Sequence, residues 1–361
     1  MLREFEVSSI EAGYFVEWPW LPNASVSTTP VALPNLRTLT LQHTPFKWSS
    51  PMLRNLHFLN LRALPTTHLP LDRILAIIAN NPQLQSLALH FQGVLPAVLP
   101  LSPLTLLHLK TLCIGGHYHL TALLDNLVLP SLTRLTLDIE ARDPIEDAIS
   151  SLLVRSNRPP LEHLAIAYSA SPSHTPAAVA AAAFYYGPGG MVITWSQLLA
   201  DLPELKSLRV GGTALEPLLG ALAPPDDDAL TGLNPGPLHP PQPNPATAIL
   251  GVGSGVGVGG STSGQGWTWA CPRLEVLGLR SCHAHSEGVN KLVQMVEARN
   301  PPSNSSNNGN TSITSISSIV VTPVRLRRLE MHNCTNLGED VMKWLDGRIM
   351  QVVCTEPIVE R

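Results

Sequence analysis

The chain has 361 residues, of which 44% are hydrophobic and 14% charged, so it is long and apolar enough to fold around a sizeable core. Its net charge of −4 gives no overall attraction to nucleic acid or to an anionic membrane, and we expect neither as a partner. Five scattered cysteines do not form a secreted disulfide framework, and charged residues occupy the place of a signal peptide, so we expect a cytoplasmic or nuclear protein.

The two ends of the chain differ from the part between them. Residues 1–30 match no repeat and are rich in aromatic side chains. We expect them to form an N-terminal cap, because the open apolar end of a repeat array must be covered. Residues 31–350 are expected to form the repeat domain, and residues 351–361 a C-terminal tail.

One phrase returns nine times in the repeat domain: a turn residue, then Leu-x-x-Leu-x-Leu, with other aliphatic residues in some copies. The copies are LPNLRTLTL (33–41), LRNLHFLNL (53–61), NPQLQSLAL (81–89), LLHLKTLCI (106–114), LPSLTRLTL (129–137), RPPLEHLAI (158–166), LPELKSLRV (202–210), CPRLEVLGL (271–279) and PVRLRRLEM (323–331). The first five steps between copies are 20 to 29 residues, the period of a leucine-rich repeat, and the last three are 44, 69 and 52.

The spacing inside the phrase predicts a short strand, because a period of two places its last two leucines on one face. One such strand cannot bury its leucines alone, so the copies are expected to stack as a parallel sheet. Segments with apolar residues three or four apart predict return helices at 71–80, 118–128, 145–157, 193–202, 286–300 and 338–349.

These features favour an α/β fold, a leucine-rich-repeat solenoid shaped as a horseshoe. Its parallel strands would line the concave face and its helices the convex face. The alternative is an ordinary α/β protein with short buried strands, which does not require nine phrases with one internal spacing.

Three insertions explain the long steps. They lie at about 169–190, 224–266 and 300–318, each between two repeat phrases, where a solenoid accepts extra length. The second is rich in proline and glycine, a composition that cannot bury a core, and we expect it to be disordered.

A glycine pattern in the second insertion resembles a nucleotide-binding motif. Gly255, Gly257 and Gly260 have the spacing G-x-G-x-x-G, but the sequence after them does not predict the helix whose N-terminus would face a phosphate. No pattern in the chain places a nucleophile beside a base. We therefore expect no enzyme activity, no catalytic residue and no cofactor.

A group of thiol and imidazole side chains near residue 282 could be taken for a metal site, because zinc prefers such ligands. Cys282 lies three residues after Leu279, however, and Cys334 lies three residues after Met331. Both cysteines therefore occupy one position of successive repeats, where a thiol can satisfy the turning backbone. We expect no metal site.

The strand residues that alternate with the leucines are expected to point out of the concave face and to bind a partner. The candidate binding residues are Arg62, His90, Arg134, Asp138, His163, Arg209, Arg280, Arg328, Glu330 and His332. Three of them, Arg209, Arg280 and Arg328, would form a cationic stripe that binds carboxylates or phosphates. The alternative is that these are ordinary solvated charges.

The C-terminal third resembles a known family. The sequences CPRLEVLGLRSCHAHSEGVNKLVQMVEARN and TPVRLRRLEMHNCTNLGEDVMKWLDGRI are similar to the leucine-rich-repeat region of the large fungal families of F-box proteins, which resemble ribonuclease inhibitor in fold. The resemblance implies a module that recognises a protein substrate for an SCF-type ubiquitin ligase. In such a protein an F-box recruits a Skp-type adaptor and a cullin.

Residues 1–30 depart from the family, because they are too short and too aromatic to be an F-box. The adaptor and the cullin are therefore expected as partners only if an F-box lies upstream. The second hypothesis is a stand-alone scaffold or inhibitor, which binds a protein without any link to ubiquitin transfer.

Overall fold

The computed structural model describes residues 2–8, 33–44, 46, 48–140, 145–169, 194–224, 269–282, 287–302, 322–334 and 337–355. The three predicted insertions lie almost entirely outside these residues, as does most of the predicted N-terminal cap. The disorder expected of the second insertion and the glycine motif within it also lie outside the described residues.

The described strands are short and are almost all separated by turns or helices. They are β1 (Glu4–Ser8), β2 (Thr38–Gln42), β3 (Phe58–Arg62), β4 (His68–Pro70), β5 (Ser86–Phe91), β6 (Gly93–Leu95), β7 (Leu104–Thr105), β8 (Thr111–Gly116), β9 (Leu127–Val128), β10 (Arg134–Glu140), β11 (His163–Ser169), β12 (Ser207–Gly211), β13 (Val276–Arg280), β14 (Arg328–His332) and β15 (Gln351–Thr355). Each of the nine leucine phrases contributes one of these strands, which confirms all nine strand predictions.

Eleven strands form a single parallel sheet in the order β1-β2-β3-β5-β8-β10-β11-β12-β13-β14-β15. The order along the sheet is the order along the chain, so each strand pairs with the sheet strands before and after it. The four remaining strands form two small parallel pairs, β4 with β6 and β7 with β9. This is the arrangement expected when every repeat packs only on its neighbours.

The leucine positions align from strand to strand. Leu39 of β2 pairs with Leu59 of β3, and Leu59 pairs with Leu87 of β5. The same register holds at the other end of the sheet, where Leu277 of β13 pairs with Leu329 of β14. Strands β11, β12, β13 and β14 pair directly with one another, so the three long steps in the sequence do not interrupt the sheet.

Strands β1 and β15 lie in the segments that the sequence assigns to the cap and to the tail. β1 pairs with β2 in register, and β15 pairs with β14 in register. Phe5 and Val7 take the two leucine positions in β1, and Val352 and Cys354 take them in β15. Neither strand contains the leucines that identify the repeat phrase, so the pattern predicts neither of them.

The described helices are α1 (Leu71–Ala79), α2 (Thr121–Leu124), α3 (Ile145–Arg155), α4 (Trp195–Ala200), α5 (Leu215–Leu222), α6 (Gly288–Arg299) and α7 (Glu339–Asp346). Five of the six predicted helices are confirmed with small differences at their ends. The prediction of one helix over 118–128 is wrong, because that segment contains a 3-10 turn, the short α2 and then β9. The Asn126 side chain donates to the carbonyl of Ala122 at 2.9 Å, beside the point where α2 ends.

Helix α5 is not among the predicted helices, although its four buried leucines are three or four residues apart. Pro217 and Gly220 lie inside this short segment and obscure the helical pattern, because both residues are poor helix formers.

The hydrophobic core lies between the sheet and the helices. Leucines at the second and fourth strand positions form one cluster with the buried side chains of the helices, including Ile78 of α1, Leu152 of α3 and Leu219 of α5. Helices α2 to α6 contact one another in chain order, as the strands do. The molecule therefore has a layer of parallel strands and a layer of helices, compatible with a solenoid-like arrangement.

Buried polar side chains join consecutive turns of the chain. The fully buried amide of Asn81 donates to the carbonyls of Leu53 at 3.0 Å and Ile77 at 2.7 Å, and its oxygen accepts from the backbone N–H of Leu56 at 2.8 Å. Near the other end of the chain, Asn300 forms the same kind of bonds with the backbone of Leu326. These amides satisfy backbone groups that have left the sheet and cannot reach water.

Arg299 is the largest buried cation among the described residues, at 1% exposure. Its guanidinium donates to the carbonyls of Ala270 at 2.7 Å, Cys271 at 3.3 Å and Leu222 at 3.4 Å. It also lies 5.5 Å from the ring centroid of Trp269. Burial lowers the pKa of Arg299 to about 10, so the side chain still carries its charge at neutral pH. One arginine thus ties the end of α5 to the chain entering β13.

Candidate functional site

The sheet has one face on the core and one face away from it. We call the second surface the open face, and it consists of the first, third and fifth residues of strands β2, β3, β5, β8 and β10–β14. In β2, for example, Leu39 and Leu41 are buried, whereas Thr38, Thr40 and Gln42 are partly exposed. The alternation follows from the strand period of two.

All ten candidate binding residues lie on the open face. Arg134, His163 and Arg328 occupy first positions, Arg209 and Glu330 third positions, and Arg62, His90, Asp138, Arg280 and His332 fifth positions. Their placement agrees with the alternation rule. Their role in binding stays a prediction.

At the C-terminal end of the open face, a carboxylate lies between two of the three arginines of the predicted stripe. A guanidinium nitrogen of Arg209 is 3.3 Å from Oε2 of Glu330, and Nε of Arg328 is 2.5 Å from Oε1 of the same side chain. The Glu330 side chain is only 8% exposed, compared with 58% for Arg209. Glu330 therefore neutralises part of the positive charge of the predicted stripe.

Gly278 makes the contact between Arg209 and Glu330 possible. Arg209 lies on β12 and Glu330 on β14, so the arginine side chain must cross β13. It crosses at Gly278, where a Cβ atom would lie 2.8 Å from Cγ of Arg209. A larger residue would displace the arginine, and the glycine therefore belongs to the site, although the leucine pattern does not identify it.

Arg280 is the exposed arginine of the predicted stripe that does not contact Glu330. Nearby cations at the entrances of the strands are ion-paired across repeats: Lys206 with Glu162 at 2.8 Å, Arg327 with Glu275 at 3.6 Å, and Arg273 with Glu204. Within the described part of the chain, no carboxylate lies within ion-pairing distance of Arg280. Its register partner on β12 is Gly211, so no side chain lies beside it on that strand.

His332 occupies the last position of β14, next to Arg280 in the register. Its Nδ1 is 2.8 Å from Oγ1 of Thr355, at the end of β15. The segment predicted as a tail therefore contributes a side chain that orients a candidate binding residue. We call Arg209, Arg280, Arg328, Glu330 and His332 the basic patch.

A second group lies nearer the N-terminus of the sheet, around His90. A Cβ atom at Gly115 would lie 2.5 Å from Nδ1 of His90, so the imidazole rests on this glycine. Burial lowers the pKa of His90, the charge of Arg62 lowers it further, and Asp138 acts in the opposite direction. His90 is therefore neutral at neutral pH, and Arg62 carries the positive charge of this group.

The middle of the open face has small side chains, among them Ala88, Cys113, Ala165 and Ala167. They form a shallow floor between the His90 group and the basic patch. Burial raises the pKa of the Cys113 thiol, and the charge of Asp138 raises it further. This thiol is held in its protonated form, which is a poor nucleophile.

His163 and Arg134 lie side by side at the first positions of β11 and β10. The pKa of His163 is lowered by burial and then by the charge of Arg134, while Glu162 acts against both. These two residues add one positive charge to the edge of the face where the strands begin.

The cysteines at residues 282 and 334 occupy the turns that leave β13 and β14. The sulfur of Cys282 is 3.5 Å from the carbonyl oxygens of Val210 and Arg280, and the sulfur of Cys334 is 3.4 Å from that of Leu279. The prediction that both thiols serve the turning backbone at one repeat position is confirmed. The imidazole side chains next to Cys282 in the sequence, those of His283 and His285, lie outside the described residues.

Across the described ranges, no set of three or more His, Cys, Asp or Glu side chains is placed to hold a metal ion. Among the described helices, none combines the length and the apolar character needed to cross a bilayer.

Comparison with known proteins gives no relative. No family model, no curated protein and no solved structure matches the chain.

Proposed function

We propose that the chain is a leucine-rich-repeat solenoid that binds another protein on its open face. In this proposal the sheet curves as a horseshoe, with the open face concave and the helices on the convex side. Support comes from the eleven strands that pair in chain order and from the helices that contact one another in the same order. Solenoids of this kind use the extended surface of their strands for binding.

The observation that carries the proposal is the exposed arginine pair on adjacent strands. Arg209 and Arg280 lie on β12 and β13. The Arg209 side chain crosses the buried Gly278, and the register partner of Arg280 is Gly211. Arginine can bind a carboxylate through two parallel hydrogen bonds, and the carboxylate of Glu330 already demonstrates the contact with Arg209. The basic patch is therefore suited to an acidic segment of a partner protein, although the whole chain is acidic.

An affinity-purification experiment with three proteins tests this proposal. The wild-type chain is compared with the double variant Arg209→Glu, Arg280→Glu and with Arg73→Glu, which reverses one charge on the exposed side of α1. Partners recovered with the wild type and with Arg73→Glu should be lost from the double variant. Central arginines in interfaces contribute about 2 kcal/mol or more, equivalent to about a 30-fold loss of affinity. Equal recovery by all three proteins would contradict the proposal.

We further propose that the bound protein is a substrate of an F-box-type ubiquitin ligase. The motif E-A-R-N within the family-like segment supplies Arg299 and Asn300, whose side chains hold the backbone of adjoining turns. The same purification tests the link, because a ligase subunit should bring a Skp-type adaptor and a cullin with it.

The second candidate is a stand-alone scaffold or inhibitor. Glu4–Ser8 is a strand of the sheet, so this described part of residues 1–30 is not helical as an F-box would be. Recovery of a partner without the adaptor and the cullin supports this candidate. Recovery of a partner together with the adaptor and the cullin supports the ligase.

A further inference from the structure

Cys282 and Cys334 lie in two adjacent turns that have the same shape. Arg280 and His332 are register partners at the ends of β13 and β14, and each cysteine follows two residues later. Ser281 and Asn333, between strand and cysteine, both have positive φ, at 49° and 52°. The Asn333 amide donates to Oγ of Ser281 at 3.1 Å, which holds the two turns together.

The spacing of the turns suits a disulfide. Neighbouring strands lie about 4.8 Å apart, and the Cα atoms of bridged cysteines are about 4.4 to 6.8 Å apart. The sulfur of Cys334 reaches back over β13, to 3.4 Å from the carbonyl oxygen of Leu279. The sulfur of Cys282 reaches back over β12 in the same way, to 3.5 Å from the carbonyl oxygen of Val210. Both thiols are free in the structure.

We propose that Cys282 and Cys334 form an oxidation site, at which a hydroperoxide converts the two thiols into an intrachain disulfide. The site is independent of the proposed function, because it rests on the geometry of the two turns alone.

The reaction begins at Cys334, which is the more exposed of the two. The interaction with the Cys282 side chain lowers the pKa of Cys334 to about 7, whereas the same interaction and burial both raise the pKa of Cys282. The Cys334 thiolate attacks the peroxide, the O–O bond breaks, and a sulfenic acid and a hydroxide or alkoxide form. The Cys282 sulfur then attacks the Cys334 sulfur. Its proton leaves with the departing hydroxyl as water, so two thiols are oxidised and one peroxide is reduced.

The disulfide would lie directly beside the basic patch. It would join the turns that follow Arg280 and His332 and would replace the contacts of the two sulfurs with backbone carbonyls. It would also close a covalent loop across the third insertion, which restricts the unfolded chain and should raise the thermal midpoint.

The test uses the purified full chain, hydrogen peroxide at equimolar concentration, and peptide mapping without reductant. We expect one linked peptide containing Cys282 and Cys334, two hydrogen masses lighter than the separate peptides and restored by dithiothreitol. Its rate of formation should rise about tenfold between pH 6 and pH 8, following the thiolate fraction of Cys334. A raised thermal midpoint of the oxidised protein is a second expected result.

Two variants provide the controls. Cys113→Ser should keep the linked peptide, because the raised pKa of Cys113 makes that thiol slow to react. Cys334→Ser should lose the linked peptide. If that variant does not fold, the peptide map of the wild-type protein tests the proposal. Sulfinic acid at Cys334 without a cross-link, or a disulfide between any other pair of cysteines, would overturn the proposal.

Discussion

The two halves of the sheet are built on the same leucine register but are held together differently. In residues 33–157 the buried polar bonds between repeats come from neutral side chains, such as Asn81 and Ser156. In residues 158–355 they include the buried cation Arg299, and partly exposed ion pairs also join the repeats: Lys206 with Glu162, Arg327 with Glu275, and Arg209 with Glu330 across β13. The difference follows the insertions, since the three long steps all fall in the second half.

The physical reason is the length of the connections. Bringing two strands together costs more conformational entropy when a longer segment separates them, although the cost grows slowly. Charged contacts between strands that are far apart in sequence help to offset this cost, as Arg209 and Glu330 do. Arg280 takes no part in these ion pairs and stays exposed. Residues 158–355, which contain the longer connections, are therefore also the half suited to bind an acidic partner.

The largest expected effect is in the second half. Arg299→Met should lower the free energy of unfolding by about 3 kcal/mol, because three buried carbonyls lose their donor. Denaturant unfolding measures the change. Arg73→Met, on the exposed side of α1, should change it by less than about 0.5 kcal/mol. Equal effects of the two substitutions would show that Arg299 does not hold the turns together.

The matching change in the first half is Asn81→Ala. It removes three hydrogen bonds of a fully buried amide and should destabilise the protein by about 2 kcal/mol. Because no charge is involved, this loss should be the same in 0.1 M and 1 M salt, as measured by denaturant unfolding. A strong dependence on salt would remove the distinction between the halves.

A smaller effect is expected for Glu330→Gln. The substitution removes the carboxylate shared by Arg209 and Arg328, and we expect a loss of about 1 kcal/mol in unfolding, since both arginines are partly exposed. The freed arginines should bind an acidic partner more tightly. Glu204→Gln, which breaks the exposed pair with Arg273, should leave binding unchanged. Weaker binding by Glu330→Gln would mean that Glu330 itself contacts the partner.

The smallest effect is a pH dependence in the first half. The pKa of His90 in the folded protein lies below its ordinary value of 6.5, so the unfolded chain takes up this proton first as the pH falls. Stability that is present above pH 6.5 should therefore be lost below it. His90→Gln should lose less stability than the wild type between pH 7 and pH 5, in unfolding curves measured at both values. Equal losses of stability in the wild type and in His90→Gln would contradict the assignment of this pH dependence to His90.

Most of the fold could be predicted from the sequence because the leucines repeat. A residue such as Leu112 has one environment, the core, and its spacing from the neighbouring leucines shows this directly. Strands β1 and β15 could not be predicted in this way, because Phe5, Val7 and Val352 fill the same positions without the repeat phrase.

The candidate site could be predicted only in part. Alternation along a strand places Arg209, Arg280 and Glu330 on the open face, since it depends on local spacing alone. The burial of Glu330 and the passage of Arg209 over Gly278 depend on which strands are neighbours. That information comes from pairing across insertions and is not contained in any one phrase.

Photo-crosslinking tests most directly the claim that the open face of the second half binds a partner. A photoreactive phenylalanine derivative is placed at Val276, on the open face of β13, or at Gln294, on the exposed side of α6. After irradiation in cells that contain the partner, a covalent adduct is expected from position 276 and none from position 294. Adducts from position 294 alone would place the binding surface on the helices and contradict the claim.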